Sequence, residues 1–174
     1  MTKYPASYVQ YLAHFHGDRD YFECHEILEE YWKATDAGNK QSIWVALIQL
    51  AVSNYHHRRK NFSGALRTLN KAIQIFSADQ PAVQRLGIDA RLLAETLDKR
   101  RKNLLNKIPY TSFNLPIQDI ELKHLCLEEC KQNGFTWGIN SDMDNSDLIH
   151  RHSARDRSEV ISERRMALEE RKNR

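Results

Sequence analysis

The sequence has few residues that break helices and lacks any apolar run long enough to cross a membrane. Only six glycines and four prolines occur in 174 residues, and over long stretches the apolar residues recur with the period of a helix. The longest apolar run, residues 43–52, is interrupted by Gln49 and is shorter than the roughly 18–20 residues that span a bilayer. These features predict an all-α protein without a transmembrane segment.

Cysteine and net charge are also scarce. The three cysteines, Cys24, Cys126 and Cys130, form no C-x-x-C pair, and their odd number argues against a disulfide framework, so we expect reduced thiols. The formal net charge is only +3, and it lies in the segment from His150 onward. A neutral body without a clustered basic face gives no reason to expect nucleic acid binding. The N-terminus lacks the apolar stretch of a secretory signal, so we expect a cytosolic location.

A chain of this length can form one domain with its own core. The periodicity predicts a single-domain bundle of about five to seven helices, with a central antiparallel helical hairpin and a peripheral C-terminal helix. We expect the main helices near residues 5–16, 20–35, 40–59, 62–76, 89–107 and 117–133. The chain divides into a helical core, a linker with a packed helix, and a polar, charged arm, at residues 1–108, 109–137 and 138–174. Alternating charges predict that residues 155–174 form a solvated helix or a partly disordered arm.

The most informative segment is the second predicted helix, which places a histidine and a carboxylate on an apolar face. Residues three, four, seven and ten apart share one side of a helix, and one such stripe contains Phe22, His25, Leu28, Glu29 and Trp32. Ionisable side chains rarely point into a core unless they are paired, bound to metal or in use. The stripe therefore predicts a site at His25 and Glu29.

The third predicted helix carries another polar group among apolar neighbours. Gln49 lies within residues 47–52, and a buried amide without partners costs roughly 1–3 kcal/mol. If this helix packs antiparallel against the second, Gln49 faces the His25–Glu29 pair. In that arrangement His56 or His57 could supply a further nitrogen.

Three interpretations of this polar cluster stay open. His25 and Glu29 are four residues apart, so they could bond to each other and fix the register of the hairpin without any ligand. With His56, they could instead bind a divalent metal such as zinc, iron or manganese, and the expected activity would then be metal-assisted hydrolysis. The third interpretation is a small-ligand pocket without metal, in which Gln49 and Trp32 contact the ligand. The sequence assigns no catalytic residue.

A protein-interaction module is the alternative function, in which the His–Glu pair is only a buried structural network. Parts of residues 44–73 are similar to helical-hairpin repeats, but the pattern occurs once and such repeats need several copies. The charged arm offers a surface for an unknown protein partner, and a homo-oligomer is also compatible with the sequence. Near predicted helix C-termini, we expect His14, His16 and His57 to interact with the negative end of the helix dipole.

The second and third predicted helices resemble a known family. His25, Glu29 and Trp32 match H-x-x-x-E-x-x-(W/Y), the motif of bacterial and archaeal proteins grouped as domain of unknown function family 309. The similarity continues through residues 44–51, the histidine pair and residues 61–65. The resemblance implies an all-helical fold and a proposed metal-binding role for His25 and Glu29. It implies no known activity.

Overall fold

The computed structural model describes residues 3–151 and 158–173. The described residues are mainly helical and contain no strand, which confirms the all-α, single-domain prediction. They form more helices than the five to seven expected, because one helix of four residues leaves no periodic pattern in the sequence. The other short helix, of six residues, lies where Pro81 and Gly87 predict a short helical turn. The helices are α1 (Ala6–His16), α2 (Tyr21–Thr35), α3 (Ile43–Arg58), α4 (Phe62–Ala78), α5 (Gln80–Arg85), α6 (Ala90–Leu105), α7 (Ile120–Asn133), α8 (Ser146–Ile149) and α9 (Ser158–Lys172).

Side-chain caps explain where several helices begin. A side-chain oxygen accepts a hydrogen bond from a backbone N–H of the first turn at Asp20 (3.1 Å), Asn61 (3.1 Å) and Asp89 (3.0 Å). Each bond satisfies a donor that has no partner within its helix. At the other end, Gly134 ends α7 in the left-handed conformation with φ 74°, which glycine adopts without steric cost.

The hairpin of α2 and α3 lies at the centre of the bundle. Helix α3 packs against α2 and α4, while α1 packs against α2 and α7. Ten of the sixteen residues of α3 are buried, as expected for a helix that is apolar on most sides. The two helices are antiparallel, since Phe22 at the start of α2 lies beside Tyr55 at the end of α3, with ring centroids 6.1 Å apart.

The segment predicted as a linker, residues 109–116, packs closely on the core. The backbone N–H of Leu115 donates a hydrogen bond to Nε2 of His16 at 2.9 Å, and the N–H of Asp89 donates to the carbonyl oxygen of Pro116 at 2.9 Å. Because its backbone groups bond to α1 and to the start of α6, this segment fixes the position of α7 on α1.

The beginning of the predicted arm also packs on the core. Leu148 and Ile149 of α8 are buried, and the guanidinium of Arg58 donates hydrogen bonds to Ser141 Oγ at 3.1 Å and to the Leu148 carbonyl oxygen at 3.4 Å. Two apolar residues in a polar segment are too few to show a helical period. The sequence therefore gave no indication of this contact.

The end of the arm forms α9, whose residues 165–170 are exposed, as expected for a solvated helix. Residues 152–157 and 174 of the predicted arm lie outside the described residues. Within the described ranges, no helix has both the length and the apolar character that crossing a bilayer requires. Cys24, Cys126 and Cys130 are buried free thiols, as predicted.

Candidate functional site

His25 and Glu29 form a close pair along α2. Nε2 of His25 lies 2.8 Å from Oε2 of Glu29, and the Nζ of Lys33 lies 2.8 Å from the other carboxylate oxygen. The two side chains of the pair are 28% and 33% exposed, so they are half-buried rather than enclosed in the core. Helical geometry explains the difference, because Cys24 and Leu28 occupy the buried face of α2 and the pair lies at its edge.

The electrostatic surroundings keep the Glu29 carboxylate ionised. Partial burial raises the pKa of Glu29, but Lys33 and His25 outweigh this effect and hold the pKa below its ordinary value. The second ring nitrogen of His25, Nδ1, is buried without a hydrogen-bond partner among the described residues. It lies 3.6 Å from Oε1 of Glu26. The imidazole therefore lies between two carboxylates, of which only that of Glu29 is within hydrogen-bond distance.

The pair lines an open cleft of about 540 Å³ between α2, α3 and α4. Gln49 of α3 lines the same cleft, as the antiparallel hairpin predicted. Trp32 also lines it, and its Nε1 donates a hydrogen bond to the Asn39 carbonyl oxygen at 3.1 Å. The remaining lining residues come from the α2–α3 loop, α3 and α4; they are Lys40, Gln41, Val45, Ile48, Lys71, Gln74 and Ile75.

Sequence reasoning missed the contribution of α4 and of the loop. Lys71 and Gln74 lie on the polar side of an amphipathic helix, and Lys40 lies in a polar turn. Such residues are usually only solvated, and no spacing in the sequence distinguishes these from their neighbours. Only the packing of α4 against α3 brings them to the cleft.

The two candidate histidines of α3 point in different directions. His56 lines a neighbouring cleft of about 350 Å³, which it shares with His25. His57 faces the interior on another side, with Nε2 2.8 Å from the Ile108 carbonyl oxygen and Nδ1 3.4 Å from the Arg100 guanidinium. Adjacent residues of a helix are about 100° apart, so the interpretation of His57 as a ligand at this site is wrong.

The structure provides two nearby metal-ligand side chains rather than three. Among residues 3–151 and 165–173, whose side chains the structure describes, no three His, Cys, Asp or Glu side chains are grouped to hold a metal ion. His25 and Glu29 adjoin each other, whereas His56 lies in the neighbouring cleft. A metal at this place would need further ligands from water or from a bound molecule. The metal-binding role of His25, Glu29 and His56 stays a prediction.

His16 has a structural role that the sequence did not indicate. Its side chain is fully buried, its Nδ1–H donates to the Leu12 carbonyl oxygen at 2.8 Å, and its Nε2 accepts from the Leu115 N–H. Burial is the main cause that lowers the pKa of His16 to about 3. The imidazole is therefore neutral at physiological pH, and the expected interaction of a charged ring with the helix dipole is wrong for this residue.

Comparison with known proteins identifies the family. A family model described as a domain of unknown function, DUF309, matches residues 8–68. A relative from Bacillus subtilis (strain 168), named "Uncharacterized protein YpuF", is 45% identical over 169 residues, which are 97% of each chain. The chain belongs to the DUF309 family. The DUF309 match contains His25, Glu29 and Gln49, whereas Lys71 lies beyond it. No solved structure matches the chain.

Proposed function

We propose that this DUF309 protein binds a small polar ligand in the cleft lined by His25 and Glu29. The observation that carries the proposal is that this pair, from α2, and Gln49, from α3, line one open cleft of about 540 Å³. Pockets for small ligands typically measure about 300–1,000 Å³ and contain a few convergent polar groups. The cleft has this size and this composition.

The polar lining favours a ligand with negative charge and hydrogen-bond acceptors. Lysine ammonium groups donate hydrogen bonds only, and glutamine amides can donate or accept. Among the described lining residues the single carboxylate, Glu29, is already engaged by His25 and Lys33. The other polar groups are two lysines and three glutamines: Lys40, Lys71, Gln41, Gln49 and Gln74.

Glu29 would serve mainly to orient His25. A carboxylate beside one nitrogen of an imidazole fixes the direction of the ring, as in the carboxylate–histidine pairs that surround many functional sites. The glutamate is held in turn by Lys33 at 2.8 Å. A ligand would therefore meet a ring whose orientation is set before binding, which reduces the entropy lost on binding.

Binding can be tested by NMR titration of the full chain with inorganic phosphate, citrate and malonate, each with and without Zn²⁺ or Mn²⁺. We expect at least one anion to shift the resonances of His25 and Gln49, and the double variant His25→Ala, Glu29→Gln to abolish the shift. Glu30→Gln, an exposed residue of α2 outside the cleft, is the matched control. Shifts that need the metal would support the metal prediction. If no probe perturbs His25 or Gln49, the proposal fails.

Exposure of α9 favours a second function, binding of a protein partner. Met166 and Leu168 are each 57% exposed, and they lie in the charged arm, which the sequence predicts to offer a surface for a protein partner. Removal of residues 158–174 should abolish partner capture while leaving the unfolding temperature within about 2 °C of the full chain. A large drop in that temperature would show instead that α9 stabilises the fold.

A further inference from the structure

A second cleft adjoins the first and shares His25 with it. Its volume is about 350 Å³. The rings of Phe22 and Tyr55 lie 6.1 Å apart between centroids, and the guanidinium of Arg59 lies 5.2 Å from the centroid of Tyr55. The full lining is Tyr21, Phe22, His25, Val52, Tyr55, His56 and Arg59. The walls of this cleft are therefore mainly flat and apolar, in contrast to the amides and ammonium groups of the first cleft.

The two clefts share His25 and follow one another along the α2–α3 hairpin, and we treat them together as one groove. Most groove residues on each helix recur at intervals of three or four, so they lie on one face of that helix. From Phe22 to Trp32 the groove follows ten residues, or about 15 Å at the rise of an α-helix. The two sets are Phe22, His25, Glu29 and Trp32 on α2, and Val45, Gln49, Val52 and His56 on α3, with Arg59 directly after the end of α3.

Charge differs along this groove. Lys40 and Lys71 lie only at the first cleft, and among the described residues no carboxylate lies within ion-pair distance of either lysine. At the second cleft the cation is Arg59, whose guanidinium already stacks on an aromatic ring. One end of the groove thus attracts an anion, and the other end offers surfaces on which a planar group can stack.

We infer that the groove binds one elongated molecule, a planar heterocycle joined to a phosphate group. This inference rests on the ligand site proposed above and specifies its ligand. The heterocycle lies against the half-buried rings of Phe22 and His56, as bases do on aromatic platforms. The phosphate lies near Lys40 and Lys71, as expected for charge-assisted hydrogen bonds. His25 lies where the two parts of the ligand join. A nucleoside monophosphate has this arrangement and is a suitable probe.

The test is calorimetric titration of the full chain with AMP, with adenosine, which lacks the anion, and with ribose 5-phosphate, which lacks the ring. We expect AMP to bind at least about ten-fold more tightly than either fragment, a difference of about 1.4 kcal/mol. Lys40→Gln with Lys71→Gln should weaken AMP and ribose 5-phosphate but not adenosine. Lys99→Gln, an exposed lysine outside both clefts, should change nothing.

The aromatic end needs its own variants, with folding checked by thermal unfolding. Phe22→Leu, and Arg59→Gln at the edge of the cleft, should weaken AMP and adenosine but leave ribose 5-phosphate unchanged. If ribose 5-phosphate or inorganic phosphate binds as tightly as AMP at His25 and these variants have no effect, the inference is wrong and the proposed anion site stands. If no probe shifts His25 or Gln49 in the NMR titration, both proposals fail.

Discussion

Acidification should destabilise this protein through His16. The imidazole is fully buried, and its two nitrogens are both engaged, Nδ1 with the Leu12 carbonyl oxygen at 2.8 Å and Nε2 with the Leu115 N–H at 2.9 Å. Because a carbonyl oxygen only accepts hydrogen bonds, Nδ1 carries the single proton. A second proton on Nε2 would face the Leu115 N–H, which is itself a donor. The folded state therefore binds that proton poorly.

The pKa of His16 gives the size and the sign of the effect. Burial, with a smaller contribution from the charges of Arg19 and Lys123, outweighs the bond to Leu12 and lowers the pKa from 6.5 to about 3. The unfolded chain therefore binds more protons than the folded one below about pH 6.5, and stability falls as the pH falls through this range. The contribution of the neutral His16 ring to the free energy of unfolding is fully present above pH 6.5. Between pH 7 and pH 4 its loss amounts to about 3 kcal/mol.

Urea unfolding at pH 7, 6, 5 and 4 measures this loss, with His16→Gln as the variant that cannot titrate. The variant should be less stable at pH 7, yet it should lose about 3 kcal/mol less than the wild type between pH 7 and pH 4. His14→Gln on the same helix is the control and should not reduce the loss of stability in acid, because Asp18, Asp20 and Glu23 together outweigh partial burial and raise the pKa of His14. The reasoning would be refuted if wild type and His16→Gln lost the same free energy of unfolding between pH 7 and pH 4. It would also be refuted if NMR showed the His16 ring titrating near pH 6.5.

Three further changes test the packing of the fold by denaturant unfolding. Gly134→Ala should lower the free energy of unfolding by about 1–2 kcal/mol because of the positive φ alone. Gly87→Ala should lower it more, because a Cβ there would also lie within 3.0 Å of three side chains. Equal losses for the two variants would contradict this reasoning. Arg58→Lys should lower the free energy of unfolding by about 2–4 kcal/mol, since an ammonium cannot replace a guanidinium that donates hydrogen bonds to three oxygens. An unchanged stability would argue against a role of Arg58 in holding α8 on the core. Asn61→Ala should cost about 1 kcal/mol by removing the cap of α4, and Asn61→Asp should restore most of the loss.

Much of the helical fold could be predicted because its signals are local. Asp20, Asn61 and Asp89 each precede an apolar repeat, and each is a cap in the structure. The contact of α8 with the core could not be predicted, because Leu148 and Ile149 are adjacent and show no period. Their contact with the core includes Arg58, which lies ninety residues earlier in the chain and donates a hydrogen bond to the Leu148 carbonyl oxygen. The contact of α8 with the core therefore arises from tertiary packing and not from a local sequence pattern.

Some residues of the candidate site could likewise be predicted from the sequence, and others could not. One helix face brings His25 and Glu29 together, and the antiparallel packing of two adjacent helices adds Gln49, so the sequence could predict these three. Lys71 comes from a third helix, and nothing in its neighbourhood distinguishes it from a solvated lysine. His56 and His57 are adjacent on α3, so their side chains point about 100° apart around the helix. Sequence-based helix boundaries are uncertain by one or two residues, and therefore the sequence could not show which of the two faces the site.

Replacing the His25–Glu29 pair should change stability little, and this result distinguishes a ligand site from a purely structural network. The two side chains are 28% and 33% exposed, and exposed ion pairs typically contribute about 0–1 kcal/mol. The double variant His25→Ala, Glu29→Gln should therefore unfold within about 1 kcal/mol of the wild type. Leu28→Ala is the control for the buried face of the same helix, and it should lose about 2–5 kcal/mol. If the double variant loses as much as Leu28→Ala, the pair holds the hairpin together, and a binding role is no longer needed to explain its position.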